Sequence, residues 1–175
     1  MTPLCEIGTK YGTDKAPWCW GYTKVYAEWV PKETRVVLEL GVLSGASLRM
    51  WRDYLPSAMV YGIDNDANCM VTGEPRIETF CFNAYDLREL METLEKIGPI
   101  ELFIDDALHD PRVQIPMLLA VWPHLRSGGV YAIEDIMTGK MVTNVEGAIE
   151  KLEGVAKHAV YLGKEGFAMA IMRKA

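Results

Sequence analysis

No CxxC spacing joins the four cysteines (Cys5, Cys19, Cys69, Cys81), and the chain has only three histidines. The ligand pattern of a structural zinc site is therefore missing. No apolar run approaches the roughly 18 to 20 residues needed to span a bilayer, so no membrane partner is expected. Basic residues are outnumbered: 18 Lys and Arg stand against 24 Asp and Glu, a net charge of −6. That balance argues against a phosphate-backbone binder and predicts no nucleic-acid partner. The opening MTPLCEIGTK has no basic start leading into an apolar block. No secretory leader is expected, and the thiols should be reduced in the cytoplasm.

The 175 residues are half apolar and about a quarter charged, enough for one ordinary domain with its own core. From Arg35 onward, short Val- and Ile-rich runs alternate with segments of helical spacing. Strands are expected at Arg35 to Val42, Met59 to Asp66, Ile77 to Asn83, Ile100 to Leu108 and Gly128 to Ile136. Helices are expected at Ala46 to Leu55, at Leu87 to Ile97 between an Asp86 cap and a Gly98 stop, and at Val145 to Glu153. Another should start at Asp110-Pro111 and end near Leu125, with a kink or late start at Pro116. The chain should close in a β-hairpin turning at Gly163-Lys164-Glu165-Gly166. Alternation of this kind predicts a doubly wound, Rossmann-like α/β sheet of seven strands, mostly parallel with a C-terminal antiparallel hairpin. Residues 1–34 look irregular, with one helix over Lys24 to Val30. They are taken as an aromatic extension packed on a single domain of residues 35–175. Cys81 is expected in the core, and His124 and His158 are given structural roles.

In an open parallel sheet, ligands bind beyond the carboxyl ends of the strands. The first such turn runs Glu39-Leu-Gly41-Val-Leu-Ser44-Gly45-Ala-Ser47. Leu43 stands where a dinucleotide fingerprint needs its second glycine, so a nicotinamide dehydrogenase is disfavoured. Glu39 suits a cation rather than a phosphate. Asp64, ending the second strand, can take the hydroxyls of a ribose. A ribose, a neighbouring cationic group and no pyrophosphate describe S-adenosylmethionine. Each residue alone could be an ordinary turn glycine or strand-end acid.

Acids also end the fourth and fifth strands, in Asp105-Asp106-Ala-Leu-His109-Asp110 and Glu134-Asp135. Asp106, Glu134 and Asp135 offer hard oxygen donors that suit Mg²⁺ or Mn²⁺. Packed together without a cation, they would raise one another's pKa values. His109 can face the same point as a general base. The plain alternative is solvated strand-end acids and a loop histidine.

The pattern ELGVLSGASL followed by GID resembles class I methyltransferases. YGTDK, GYTKVY, GASLRMW, DDALHD and IEDI further resemble the metal-dependent macrolide-sugar O-methyltransferases and the related cephalosporin-hydroxylase-like proteins. The likeness covers about residues 7 to 136. It implies a metal held by Asp106, Glu134 and Asp135, with His109 as base and Asp106 at the catalytic centre. It also implies a lid carrying Lys15 and Tyr22, with Thr23, near the methionine carboxylate. The candidate cofactor-binding set is then Lys15, Tyr22, Glu39, Gly41, Ser44, Gly45, Ser47, Asp64, Asn83 and Asp105. Trp20 stands where the family usually has histidine, and Ala107 and Leu108 where it often has glycine and serine.

The expected activity is Mg-assisted O-methyl transfer from S-adenosylmethionine to a hydroxyl of a sugar or small natural product. A metal-independent methyltransferase and a non-catalytic S-adenosylmethionine-binding module are the alternatives. The substrate side is either open or completed by a second copy in a homo-oligomer.

Overall fold

The structure, a computed structural model, describes residues 1–164 and 166–175. It comprises two units, Met1–Ala84 and Tyr85–Ala175.

In the first unit, strands β1 (Val36–Leu40), β2 (Met59–Asp64) and β3 (Ile77–Cys81) are parallel in the order β3-β2-β1. β1 is almost wholly buried, including Glu39 among its apolar residues. Helix α3 (Ala46–Tyr54) connects β1 to β2. Its close seat on the sheet depends on Gly62. A Cβ there would lie 2.7 Å from Val42 Cγ2 and 2.8 Å from Leu48 Cδ1.

The N-terminal segment departs from expectation. It holds two helices, α1 (Pro3–Tyr11) and α2 (Tyr22–Trp29), rather than one over Lys24 to Val30. The α1 ends are set by local chemistry. The Thr2 side chain accepts the Cys5 N–H, Pro3 occupies the first turn, and Gly12 closes the helix in the left-handed region. α1 packs on α2 and α3, and Tyr26 meets the buried Trp51 edge-on at 5.0 Å. Cys81, expected in the core, is exposed. It ends the outermost strand of this unit, whose later residues are only partly covered.

In the second unit, α4 (Leu87–Ile97) has the expected bounds: the Asp86 carboxylate accepts the Arg88 and Glu89 N–H groups, and Gly98 follows. β4 (Ile100–Asp105) and β5 (Leu125–Met137) are parallel. Between them, α5 (Pro111–Val121) starts at the Asp110 cap and runs through Pro116. Of the two outcomes expected at Pro116, a kink or a late start, the late start does not occur. Pro116 is exposed, where water can replace its missing backbone bond. The helix ends at Val121, before a short 3-10 turn at Trp122–His124. α6 spans Lys140–Ile149, five residues earlier than expected at its start. The buried Val145 and Ile149 are one helical turn apart and set its inner face. β6 (Val155–Leu162) and β7 (Phe167–Lys174) close the chain as an antiparallel hairpin. Glu165, in the expected turn, lies outside the described residues. β7 inserts antiparallel beside β5, giving the order β4-β5-β7-β6. Three strands in one unit and four in the other make the expected seven, mostly parallel with an antiparallel C-terminal pair.

Candidate functional site

The turn after β1 carries three left-handed residues in five: Gly41 (φ +87°), Leu43 (φ +50°) and Gly45 (φ +74°). Glycine adopts this region freely, but Leu43 carries strain there. Backbone bonds compensate. The Gly41 N–H donates to Ile63 O at 2.9 Å, and the Gly45 N–H to Val42 O at 2.8 Å. From the end of β2, Asp64 Oδ2 accepts the N–H groups of Val42 at 2.8 Å and Leu43 at 3.3 Å, while Oδ1 accepts that of Asp66 at 3.0 Å. Burial pushes the Asp64 carboxyl up, but the Asp66, Val42, Leu43 and Asn65 N–H groups outweigh it and hold the group below the usual carboxylate range. Ser44 is exposed at the tip and Ser47 is buried in the first turn of α3.

Glu39 and Lys15 meet inside this unit. Lys15 Nζ lies 3.3 Å from Glu39 Oε1, with both side chains 1% exposed. The cation beside Glu39 is thus supplied by the chain itself. The indole N–H of Trp51 donates to Glu39 Oε2 at 3.1 Å. Trp51 was not anticipated as a partner. It lies one helical turn beyond Ser47, on the helix face turned to the sheet, and that spacing was the available signal. Tyr22 is buried and stacks on Trp20 at 6.4 Å, and Asn83 is exposed after β3.

The second unit brings Asp106, His109 and Asp135 together, each offering a ligand atom within 4.8 Å of the others. His109 Nε2 is 3.1 Å from Asp106 Oδ1 and 3.9 Å from Asp135 Oδ2. Glu134 is buried and stands outside that trio, and its backbone carbonyl accepts the Gln114 side-chain N–H at 3.2 Å. A β-bulge explains how Asp135 is aimed. The β5–β7 pairing advances three residues from Ile133 to Ile136 on one strand but two, from Ala170 to Ala168, on the other. Asp135 sits in that excess at φ +51°, and His109 is also left-handed at φ +48°. Such conformations in non-glycine residues cost of order 1–3 kcal/mol and cluster where function requires them.

The electrostatics follow from crowding. The hydrogen bond to Asp106 raises the His109 pKa against the opposing effect of burial, and the Asp106, Asp135 and Asp105 charges add to the rise. Asp105 is fully buried and its pKa is pushed up to about 7, by burial first and then by Asp106. Tyr85, whose hydroxyl accepts the Leu108 N–H at 3.2 Å, is pushed up to about 12 by burial and by Asp105. The two carboxylates are hard oxygen donors that fit a divalent cation such as Mg²⁺, with water or substrate oxygens filling its remaining positions, and the imidazole stands beside them where a proton acceptor is useful.

Residues 38–136 match the family model described as a methyltransferase domain. The 8-demethyl-8-alpha-L-rhamnosyl tetracenomycin-C 2'-O-methyltransferase of Streptomyces olivaceus is 33% identical over 148 residues, covering 77% of this chain and 38% of that protein. The mycinamicin VI 2''-O-methyltransferase of Micromonospora griseorubida is 32% identical over 146 residues, 77% of this chain and 36% of the other. The MycE methyltransferase of the mycinamycin pathway, solved with Mg and SAH, has the same fold, with a TM-score of 0.83 at 23% identity. The match covers 99% of this chain and 55% of that one. The chain therefore spans less than two-fifths of the length of these curated relatives and about half that of the structural neighbour. With more than half of its residues inside the family model, the chain belongs to the methyltransferase domain family.

Proposed function

We propose that this chain is a magnesium-assisted, S-adenosylmethionine-dependent O-methyltransferase acting on a hydroxyl of a sugar-bearing small molecule. The observation that carries the reading is the placement of His109 Nε2 between the Asp106 and Asp135 carboxylates. Two named sugar O-methyltransferases that match three-quarters of the chain support the acceptor class.

In this reading, each unit supplies one part of the chemistry. The first holds the donor. The left-handed turn lets the backbone approach it closely, and Asp64, kept ionised by backbone N–H groups, accepts ribose hydroxyls. Gly41, Ser44 and Gly45 belong to that turn and Ser47 to the first turn of α3, and Glu39 with its paired Lys15, Tyr22 and Asn83 complete the proposed donor set. The second unit holds the base and the cation: Asp106 and Asp135 are the ligands within reach, with Glu134 as the third carboxylate of the set. Bound magnesium supplies positive charge that lowers the pKa of an acceptor hydroxyl, and the donor supplies an electrophilic methyl group. His109 takes the hydroxyl proton at its imidazole, and Asp106 orients that ring through the 3.1 Å contact. Asp105 is the buried acid behind this pair. The same reading places the chain in the cytoplasm, in keeping with cysteines that form no disulfide among the described residues. It leaves room for a homo-oligomer that completes the acceptor side. Among the described residues, no helix is long and apolar enough to cross a membrane.

Turnover with a panel of glycosides, measured after metal stripping and again after magnesium addition, tests the proposal. Methyl transfer that appears only with magnesium supports it. Equal rates with and without the metal would overturn the metal role. Tight S-adenosylhomocysteine binding with no turnover across the panel would favour the binding module.

A further inference from the structure

The Ser44–Gly45 peptide plane is gripped at both ends. Its N–H donates to Val42 O at 2.8 Å, and its carbonyl accepts Arg49 Nη1 at 2.7 Å. Arg49 is not held by the turn alone. Its Nε and Nη2 donate to Glu74 Oε1 at 2.8 Å and 2.7 Å. The other Glu74 oxygen accepts Arg52 Nη1 at 2.8 Å. One carboxylate in the segment between β2 and β3 thus ties two arginines of α3 together. The same segment closes over the turn from another side: a Cβ on Gly45 would come within 2.5 Å of Val71 Cγ2 and 3.2 Å of Arg49 Nη1.

The orientation of this peptide matters because the turn is strained. Leu43 is left-handed without being glycine, and Gly45 is left-handed two residues later. A flip of the Ser44–Gly45 peptide would break the Val42 contact and turn a carbonyl where an N–H now points. Arg49 opposes that flip by holding the carbonyl outward. Its planar fork can meet the Ser44 carbonyl and Glu74 at once, which a lysine ammonium on its flexible stem does poorly.

We infer that Arg49, anchored by Glu74, is a positioning residue that fixes the Ser44–Gly45 peptide and thereby sets the affinity of the first unit for the methyl donor. The inference rests on the donor reading given above. Arg49 acts through the turn of the first unit, so its effect falls on donor binding rather than on the chemical step.

The test compares wild type, Arg49→Met, Arg49→Lys and Glu74→Gln. S-adenosylhomocysteine affinity is read by calorimetry, the donor KM and kcat by turnover, and Gly45 amide exchange by NMR without ligand. For Arg49→Met, the dissociation constant and donor KM should rise about tenfold, with kcat within about a factor of two. The Gly45 amide should exchange about tenfold faster in the same variant. Arg49→Lys and Glu74→Gln should lie between wild type and Arg49→Met. They also stand in if Arg49→Met fails to fold. A purely structural role would lower the melting temperature and leave the dissociation constant unmoved. Wild-type binding together with unchanged affinity in the variants overturns the inference alone, whether or not Gly45 exchange changes. Absence of S-adenosylhomocysteine binding by wild type overturns the donor reading and the inference with it, even where Gly45 exchange still responds.

Discussion

Asp64 Oδ2 accepts the Val42 N–H at 2.8 Å, so the acid that ends β2 also fastens the turn that follows β1. Structural support and the proposed ribose contact come from one carboxylate. Its pKa is held below the usual range, so its contribution to stability is complete above the ordinary carboxylate value of about 3.9 and is lost as pH falls through the lower folded value. Asp64→Asn should cost about 1 kcal/mol at neutral pH and flatten the acid limb of the stability curve. Urea titrations from pH 7 to 3 check this. A variant with the wild-type acid slope would show that Asp64 is not the titrating group.

Lys15 and Glu39 are both buried to 1% exposure, and neither charge tolerates loss of the other. Lys15→Met should destabilise by about 3–5 kcal/mol, because a carboxylate is left in the interior without its cation. Lys15→Met with Glu39→Gln should recover much of that loss. Denaturant midpoints of the two single variants and the double variant give the coupling directly. Additive losses would contradict a direct interaction.

The carboxylates near His109 repel one another until a cation joins them. Magnesium at about one hundred times its dissociation constant should raise stability by about 2.7 kcal/mol. Thermal melts with and without the ion should show the rise in wild type and lose most of it in Asp135→Asn. Chelator should reverse the effect. A melting temperature indifferent to magnesium would argue against a metal at Asp106 and Asp135.

Removing His109, the proposed base, should slow chemistry and spare donor binding. His109→Ala is expected to lower kcat by about 10²- to 10⁴-fold. S-adenosylhomocysteine affinity should stay at the wild-type value. Turnover and calorimetry on the same preparation separate the two effects, and undiminished kcat would remove His109 from the mechanism.

Much of this architecture is local in origin and was therefore legible. α4 begins and ends where Asp86 and Gly98 place its caps. The Thr2-Pro3 start and Gly12 stop of α1 carried the same information. They were overlooked because only Leu4, Cys5 and Gly8 are buried along it, too thin a stripe for periodicity to register. α6 was displaced because Gly139 and Asn144 look like loop residues, while the face that forms the helix is chosen by packing of Val145 and Ile149. The site divides the same way. Asp64, Asp106 and His109 follow strands that can be found by composition. The Lys15–Glu39 pair joins residues distant in sequence, and the turn of Asp135 depends on pairing with β7. Neither leaves a local trace.

The extra residue in β5 also constrains how the hairpin can vary. Beyond it, Ile136 faces Ala168 and Met137 faces Phe167. Deleting one residue between Ile133 and Ile136 would leave two residues facing two, remove the bulge and with it the left-handed backbone at Asp135. Insertions and deletions in relatives should therefore be tolerated at the hairpin tip and avoided between Ile133 and Ile136, where the extra residue sets the backbone that presents Asp135.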